Sequence, residues 1–369
     1  MHVPYNDLSR IHSRLRQKML KKFGDIVDQN AFIGGSEISQ FEASFSQFTE
    51  QQHVIGCSNG TESLLAALKY LDLDEKDEVI VPSHTWIATS EMVTLAGGTP
   101  VFCDTNYDYF TCELENILEV MSDRVVGIIP VHLYGNSVDI DPIKNYAEQQ
   151  GLWIIEDCAQ AHGTKYKGNN VGIGSLAASY SFYPGKNLGA IGDCGALTTN
   201  DQNLAKFARR YINHGSLYKG EHAIEGTNAR MDNLQAAILN LKLPILDSHI
   251  EMRRTIADRY SEKLKLLPEV LTPKTPNHSY HSWHVYAIRT NKRDELKAYL
   301  KLNGIDTIIN YPKILPDLQC YEKHAHRSNF INSRKNAEQI LSLPIFPHLT
   351  EKEIDYVVSK IFEFFEVSR

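Results

Sequence analysis

The sequence predicts an α/β fold: a mixed, mostly parallel seven-stranded sheet covered by helices, with a smaller C-terminal α+β unit attached. Three observations carry that expectation. Across residues 53–199 short apolar runs alternate with stretches of helical spacing, as in a sheet covered on both faces. The runs end on small, polar or acidic residues, and ligand sites in such sheets collect at the carboxyl ends of strands. Beyond residue 243 the alternation gives way to helical and scattered short runs, so the chain divides into a large unit, 1–243, and a small unit, 244–369.

The elements follow in order. A strand over His53 to Cys57 passes through a small polar turn into an amphipathic helix, Glu62 to Leu71. Strands are predicted over Glu78 to Val81, Pro100 to Asp104, Val125 to His132, Trp153 to Cys158, Ala177 to Phe182 and Gly195 to Thr199. Between them, helical spacing runs over Thr89 to Ala96, Leu114 to Met121 and Asp141 to Gln150. From Asn233 to Leu267 a long helical pattern is interrupted at Pro244, with Asp232 placed to cap it. Two β-like runs (His284 to Arg289 and Ile305 to Asn310), a helix over Asp294 to Asn303 and a last helix from Glu351 complete the chain.

The chemistry begins at Lys186, set in the turn Tyr183-Pro184-Gly185-Lys186-Asn187-Leu188-Gly189 after a strand. A lysine becomes a Schiff-base nucleophile only when its amine loses its proton near neutral pH, which partial burial and a fixed backbone bring about. A lone lysine in a turn is ordinarily a solvated surface residue, so the reading depends on its companions. Asp157 stands where an apolar strand should stop, 29 residues before Lys186. Alone it reads equally as a helix cap or a satisfied buried acid. Beside a strand-end lysine it matches the carboxylate that pairs with the ring nitrogen of pyridoxal 5'-phosphate. A third segment, Ser58-Asn59-Gly60-Thr61-Glu62-Ser63, opens a helix, where free N–H groups and the dipole favour an anion such as a phosphate. Thr61 and Ser63 offer hydroxyls, and ordinary capping by Ser58, Asn59 or Thr61 is the competing reading. The loop matches neither the Walker nor the dinucleotide pattern, which leaves ATP, NAD and an NAD-linked sugar oxidoreductase without support.

Taken together these motifs resemble the DegT/DnrJ/EryC1/StrS sugar aminotransferases, which have the aspartate aminotransferase-like (type I) fold. The resemblance runs nearly end to end. It includes Val3-Pro4 to Leu8, Phe32-Ile33-Gly34-Gly35 before a helix ending at Phe48, Val81-Pro82-Ser83-His84-Thr85-Trp86, Glu156-Asp157-Cys158-Ala159-Gln160-Ala161-His162-Gly163, the Lys186 turn, Asn213-His214-Gly215 and Gly226 to Asp232. It implies that Lys186 holds the cofactor and moves the proton, that Asp157 keeps the ring nitrogen protonated, and that Gln160 lies near the ring hydroxyl. Trp86 would stack on the ring, core packing being the alternative. Gly60, Thr61 and Ser181 would hold the phosphate, and Asn228 would reach the phosphate of the neighbouring subunit in a homodimer with shared active sites. Tyr183 would orient the sugar or assist proton transfer, or simply pack. Tyr183 also resembles the branch acting at C-3 of the sugar, where the C-4 branch more often has His. The implied reaction moves the amine of L-glutamate onto a dTDP- or UDP-linked keto-deoxysugar for surface polysaccharide such as lipopolysaccharide O-antigen. Alternatives are a C-4 or aminocyclitol aminotransferase and a non-catalytic regulator. Asn310-Tyr311-Pro312 resembles a position at the site mouth and reads equally as a plain turn.

Composition excludes other classes. A net charge of −7 offers no general attraction to nucleic acid or anionic membrane. No apolar run approaches the roughly 20 residues of a membrane span, and residues 1–23 lack a signal-peptide core, so a cytoplasmic location is expected. The six cysteines have no metal-like or redox spacing. His278, His281 and His284 lack accompanying Cys or carboxylates, so no metal is expected there and their imidazoles read as exposed.

Overall fold

A computed structural model describes residues 1–367 apart from 219, 323 and 325. Two helices, α1 (Ser9–Gln29) and α2 (Ser36–Thr49), precede the alternation of β1 (His53–Cys57), α3 (Gly60–Lys69), β2 (Glu78–Pro82), α4 (Ala88–Ala96), β3 (Thr99–Cys103), α5 (Leu114–Leu118), β4 (Val125–Ile128), α6 (Ile140–Gln150) and β5 (Trp153–Asp157). The short pair β6 (Lys165–Tyr166) and β7 (Asn169–Asn170) leads to β8 (Ala177–Ser181), β9 (Gly195–Thr199), α7 (Gln202–Tyr211), α8 (Asn233–Lys242) and α9 (Leu246–Leu264). The remainder is β10 (Ser279–Tyr280), β11 (Tyr286–Arg289), α10 (Arg293–Leu302), α11 (Ile331–Gln339), β12 (Ile340–Leu343) and α12 (Glu351–Val367).

The seven-stranded sheet has the order β1-β9-β8-β5-β4-β2-β3. Its neighbours are parallel from β8 through β3, and β9 runs antiparallel to both β8 and β1. Because β9 is reversed, its first residue lies at the same edge as the last residues of β1 and β8. Gly195 faces Cys57 on one side and Ser181 on the other, and Asp157 faces Ser179. Helices cover both faces, which is why the strands read as continuous apolar runs. Phe41 and Phe45 of α2 pack edge-on against Phe182 on one face, while Leu64 and Leu68 of α3 pack with Val81 and Met92 on the other. A further core gathers Val3 with Tyr260, Tyr286, Leu296, Leu341, Ile361 and Phe365.

Several elements differ from the sequence reading. The fourth strand stops at Ile128, not His132; the chain stays extended beside β5 through the Asp157 N–H to Pro130 carbonyl bond (2.9 Å) and the His132 N–H to Asp157 carbonyl bond (3.0 Å), but Pro130 has no N–H to continue a ladder. Ile305 to Asn310 is no strand; it forms single bridges, Val3 to Ile305 and Ile308 to Ser342. The partner of β11 is instead β12. Asp232 occupies the cap position of α8 without a side-chain capping bond. Pro244 interrupts the long helix as expected, in a single 3-10 turn between α8 and α9.

The end of β3 ties α11 to the sheet. Asp104 accepts from the backbone N–H groups of Asn332 (3.0 Å) and Ser333 (2.9 Å) and from the Ser333 hydroxyl (2.6 Å), capping the first turn of α11. We expect Asp104→Ala to lower unfolding free energy by about 2–4 kcal/mol, since three donors, two of them buried, lose their acceptor. Urea unfolding followed by circular dichroism measures it, and a loss below about 0.5 kcal/mol would refute this account of the junction.

Candidate active site

The carboxyl ends of β1, β5 and β8 and the amino end of β9 converge on one edge, and the turns leaving them bring the predicted residues together. The turn that carries Lys186 is fixed by backbone bonds: Lys186 N–H to Tyr183 carbonyl (2.8 Å), Ala190 N–H to Phe182 carbonyl (2.8 Å) and Phe182 N–H to Cys194 carbonyl (2.7 Å). Gly189 is required there, because a Cβ would lie 2.3 Å from the Pro184 oxygen. Buried Lys242 of α8 donates to the Gly189 carbonyl (2.6 Å) and meets His12 Nε2 at 2.9 Å, bracing the turn from behind. Burial pushes the Lys186 amine down to about 8, against the opposing pull of the Asp157 carboxylate.

Successive residues of β5 point to opposite faces, and the two acids at its end have different surroundings. Glu156 is satisfied from all sides: His132 Nε2 at 2.7 Å, the Gly172 N–H at 2.8 Å, the Ser175 hydroxyl, and Lys144 Nζ at 3.1 Å. These partners outweigh burial and hold its carboxyl down to about 2. Asp157 accepts from the Thr89 hydroxyl (2.8 Å) and the Ala159 N–H (3.0 Å), and among the described residues it forms no ion pair. A buried carboxylate so placed has room for a cationic N–H donor.

The ligating atoms of His132, Glu156 and Cys158 lie within 4.8 Å of one another, a grouping that sequence spacing did not reveal. Their chemistry is already committed. His132 Nδ1 accepts from the Val138 N–H (3.1 Å), so Nε2 carries the hydrogen that Glu156 receives, and burial keeps the Cys158 thiol protonated.

At the head of α3 the cap is Asn59, whose Oδ1 accepts from the Glu62 N–H (2.8 Å). The first-turn N–H groups of Gly60 and Thr61 take no partner among the described residues. Two close approaches shape this cradle: a Cβ on Gly60 would meet Ser181 Cβ at 2.7 Å, and one on Gly195 would meet the Asn59 carbonyl carbon at 2.3 Å. Ser63, expected to face an anion, is instead fully buried, bonded to Ser179 Oγ (2.6 Å) and the Gly60 carbonyl (2.8 Å).

Across the opening, Gln160 accepts from the Tyr134 N–H (2.8 Å) and donates to the Tyr311 hydroxyl (3.0 Å), so the Asn310–Pro312 turn does lie at the site. Trp86 is 57 % exposed, which removes the core-packing alternative; its ring tilts on Tyr311 at 5.6 Å. Tyr183 is 58 % exposed beside the Lys186 turn. Asn228 is exposed and lines a surface depression with Ser58, Asp193, Arg230, Asp232 and Gln235. Thr89 and Tyr134 were missed, because chain topology and not a local motif delivers them. Exposed imidazoles were wrongly expected at 278–284: His281 is buried, stacked 3.8 Å from Trp283.

With this geometry in hand, comparison with known proteins is informative. The model of the DegT/DnrJ/EryC1/StrS aminotransferase family matches residues 13–362. The chain is 38 % identical to dTDP-3-amino-3,4,6-trideoxy-alpha-D-glucose transaminase of Streptomyces venezuelae, covering 99 % of this chain and 96 % of that one. It is 39 % identical to a protein of Geobacillus stearothermophilus named pleiotropic regulatory protein, over 99 % of both. A crystal structure of S. venezuelae DesV in complex with a ketimine intermediate superposes with a TM-score of 0.95 at 38 % identity, covering 98 % of each chain.

The buried imidazoles give the site a pH signature. Burial holds His84, His162 and His281 at about 4, 3 and 3 against an ordinary 6.5. Their folded values lie below the unfolded ones, so as pH falls the unfolded chain takes up protons first and stability drops from about pH 6.5 downward. Urea unfolding between pH 6.5 and 5 should register a loss of roughly 1–2 kcal/mol per histidine, with a shallower slope in His162→Phe. A flat profile would contradict the assignment.

Proposed function

The chain belongs to the DegT/DnrJ/EryC1/StrS aminotransferase family, and on that premise we propose that it transfers the amine of L-glutamate to the C-3 keto carbon of a dTDP- or UDP-linked deoxysugar. It is an aminotransferase acting with pyridoxal 5'-phosphate, which when bound supplies the electron sink for moving a proton off and onto the reacting carbon. The single observation that carries the reading is the buried Asp157 carboxylate without a cationic partner, facing the turn of a lysine whose amine is held near 8.

In this reading Asp157 accepts from the protonated ring nitrogen, with Thr89 and the Ala159 N–H fixing its orientation. The free N–H groups of Gly60 and Thr61, with Ser181 beside them, hold the phosphate on the helix dipole of α3. Gln160, oriented by Tyr134 and Tyr311, addresses the ring hydroxyl, and exposed Trp86 covers one ring face. Lys186 Nζ carries the cofactor and then shuttles the proton; at pH 7 roughly a tenth of such an amine is unprotonated, enough to act as a base. Tyr183, at the open side of the turn, orients the sugar. A C-3 position is supported by Tyr183 and by the 3-amino sugar in the name of the S. venezuelae relative.

A homodimer with Asn228 reaching the neighbouring phosphate is supported by the exposed apolar ribbon Leu20, Phe23 and Val27 on α1, continued by Phe32 and Ile33. Surface-polysaccharide synthesis in the cytoplasm is the setting proposed, and residues 1–243 and 244–369 are proposed as its two structural units. The G. stearothermophilus relative's name favours one second reading, a regulator that binds the cofactor without turnover.

The purified protein is expected to show a visible band that L-glutamate bleaches and that is absent in Lys186→Ala. A band indifferent to glutamate would favour the regulatory reading or another donor. A colourless protein that the cofactor does not reconstitute would remove the proposal altogether.

A further inference from the structure

One helix grips the exit of the turn that carries Lys186. Gln235 and Lys242 stand two helical turns apart on α8 and face the same way. Gln235 Oε1 accepts from the Ile191 N–H (3.0 Å), and Lys242 Nζ donates to the Gly189 carbonyl (2.6 Å). Nearer the lysine, the Asn187 amide donates to the Ser282 carbonyl (2.9 Å). Lys242 is buried, and among the described residues no carboxylate pairs with it. Its second partner is His12 Nε2 (2.9 Å), which accepts, because an ammonium only donates. Burial and that ammonium lower the His12 imidazole, so the nitrogen stays free to accept. His249 of α9, held at about 4 by burial, is the other titratable group that feels the charge of Lys242. The lead into α1 is anchored on the far side of the molecule, which fixes where His12 stands. Val3 is fully buried, donates to the Gly304 carbonyl (2.8 Å) and accepts from the Asp306 N–H (3.0 Å). The Tyr5 hydroxyl donates to Asn310 Oδ1 (3.4 Å). Arg10 donates to the His348 carbonyl (2.9 Å) and is forked on Glu353 of α12 at 2.6 and 2.8 Å. A buried ammonium with only neutral partners costs stability, and an apolar side chain of its length would not. What it holds is the reason for a cation there.

We propose that Lys242 is a positioning residue for the proton transfer: clamped between the Gly189 carbonyl and His12, it fixes the turn and so the place of the Lys186 amine against the reacting carbon. A charge-assisted bond is roughly twice as strong as a neutral one, which suits a clamp on a turn whose lysine must itself move. A displacement of about 1 Å at a reacting group costs up to about a hundredfold in rate. Lys242 is buried behind the turn, so its loss is felt in the rate of the reaction and not in the binding of the amine donor. The inference rests on the reading of Lys186 as the proton carrier, which Lys186→Ala tests separately.

Wild-type, Lys242→Met and Lys242→Gln holoenzymes are mixed with L-glutamate over a range of concentrations, and bleaching of the visible band is followed in single turnover. Lys242→Met keeps the length and loses the donor. Its limiting rate is expected to fall about tenfold, while the half-saturating glutamate concentration stays within about twofold. Lys242→Gln, which keeps an N–H donor, should recover part of the rate. With glutamate deuterated at its α carbon the isotope effect should grow in Lys242→Met, because the slowed step is the proton transfer. A purely structural lysine would shift the thermal midpoint and leave the limiting rate of the folded holoenzyme as it was. A limiting rate within about twofold of wild type, or a loss carried by the half-saturating concentration alone, overturns the proposal. A wild-type band that glutamate does not bleach, or that Lys186→Ala retains, removes the reading of Lys186 and the inference with it.

Discussion

Everything at this site depends on how two adjacent carboxylates at the end of one buried strand are handled. A strand end leaves Glu156 and Asp157 on opposite faces of the sheet, both removed from water. An unpaired charge there is expensive, so each must find compensation. Glu156 finds it within the protein, in His132, Lys144, Ser175 and the Gly172 N–H, and so secures the crossover between β4 and α6 and the approach to β8. Asp157 receives only neutral donors. One acid completes the scaffold and the other keeps capacity for a cationic donor.

The same economy of charge shapes the wall around Lys186. His162 is buried and His284 half-buried; desolvation, with the charge of Lys186 added, holds both imidazoles well below their ordinary range. Arg253 is buried as well, donating to the carbonyls of Trp283, His284 and Ile345, and is lowered to about 10. The Lys186 amine and the Lys242 amine behind it, both pushed down to about 8 by burial, are therefore the groups at the turn whose protonation changes near neutral pH.

Much of this was legible in the sequence because it is local. Lys186 in its Pro/Gly turn, Asp157 at a strand end and the Gly60 turn each announce themselves within ten residues, and the sheet follows from the alternation of apolar runs. What escaped is what the topology assembles. Thr89 reaches Asp157 from a different crossover, and the Tyr134 N–H reaches Gln160 from the crossover after β4. β12 follows α11 without a turn signal, Ile340 ending the helix and opening the strand, so periodicity alone does not separate them. The histidine at 281 was misjudged because spacing carries no information about burial, and Ser63 because a helix start has an inward face as well as an outward one.

The anchors of residues 2–10 also have a temporal consequence. A ribosome delivers the amino-terminal segment first, whereas its partners at 304–306, 310, 348 and 353 come last. The seven strands are complete by residue 199, whereas the lysine turn is braced by Lys242 and the Ser58 N–H is met by the Ala229 carbonyl, so the site closes only as α8 forms. The strands that lead to Lys186 and Asp157 are therefore synthesised well before residues 304–353, and a chain stopped between them lacks all of these contacts to residues 2–10.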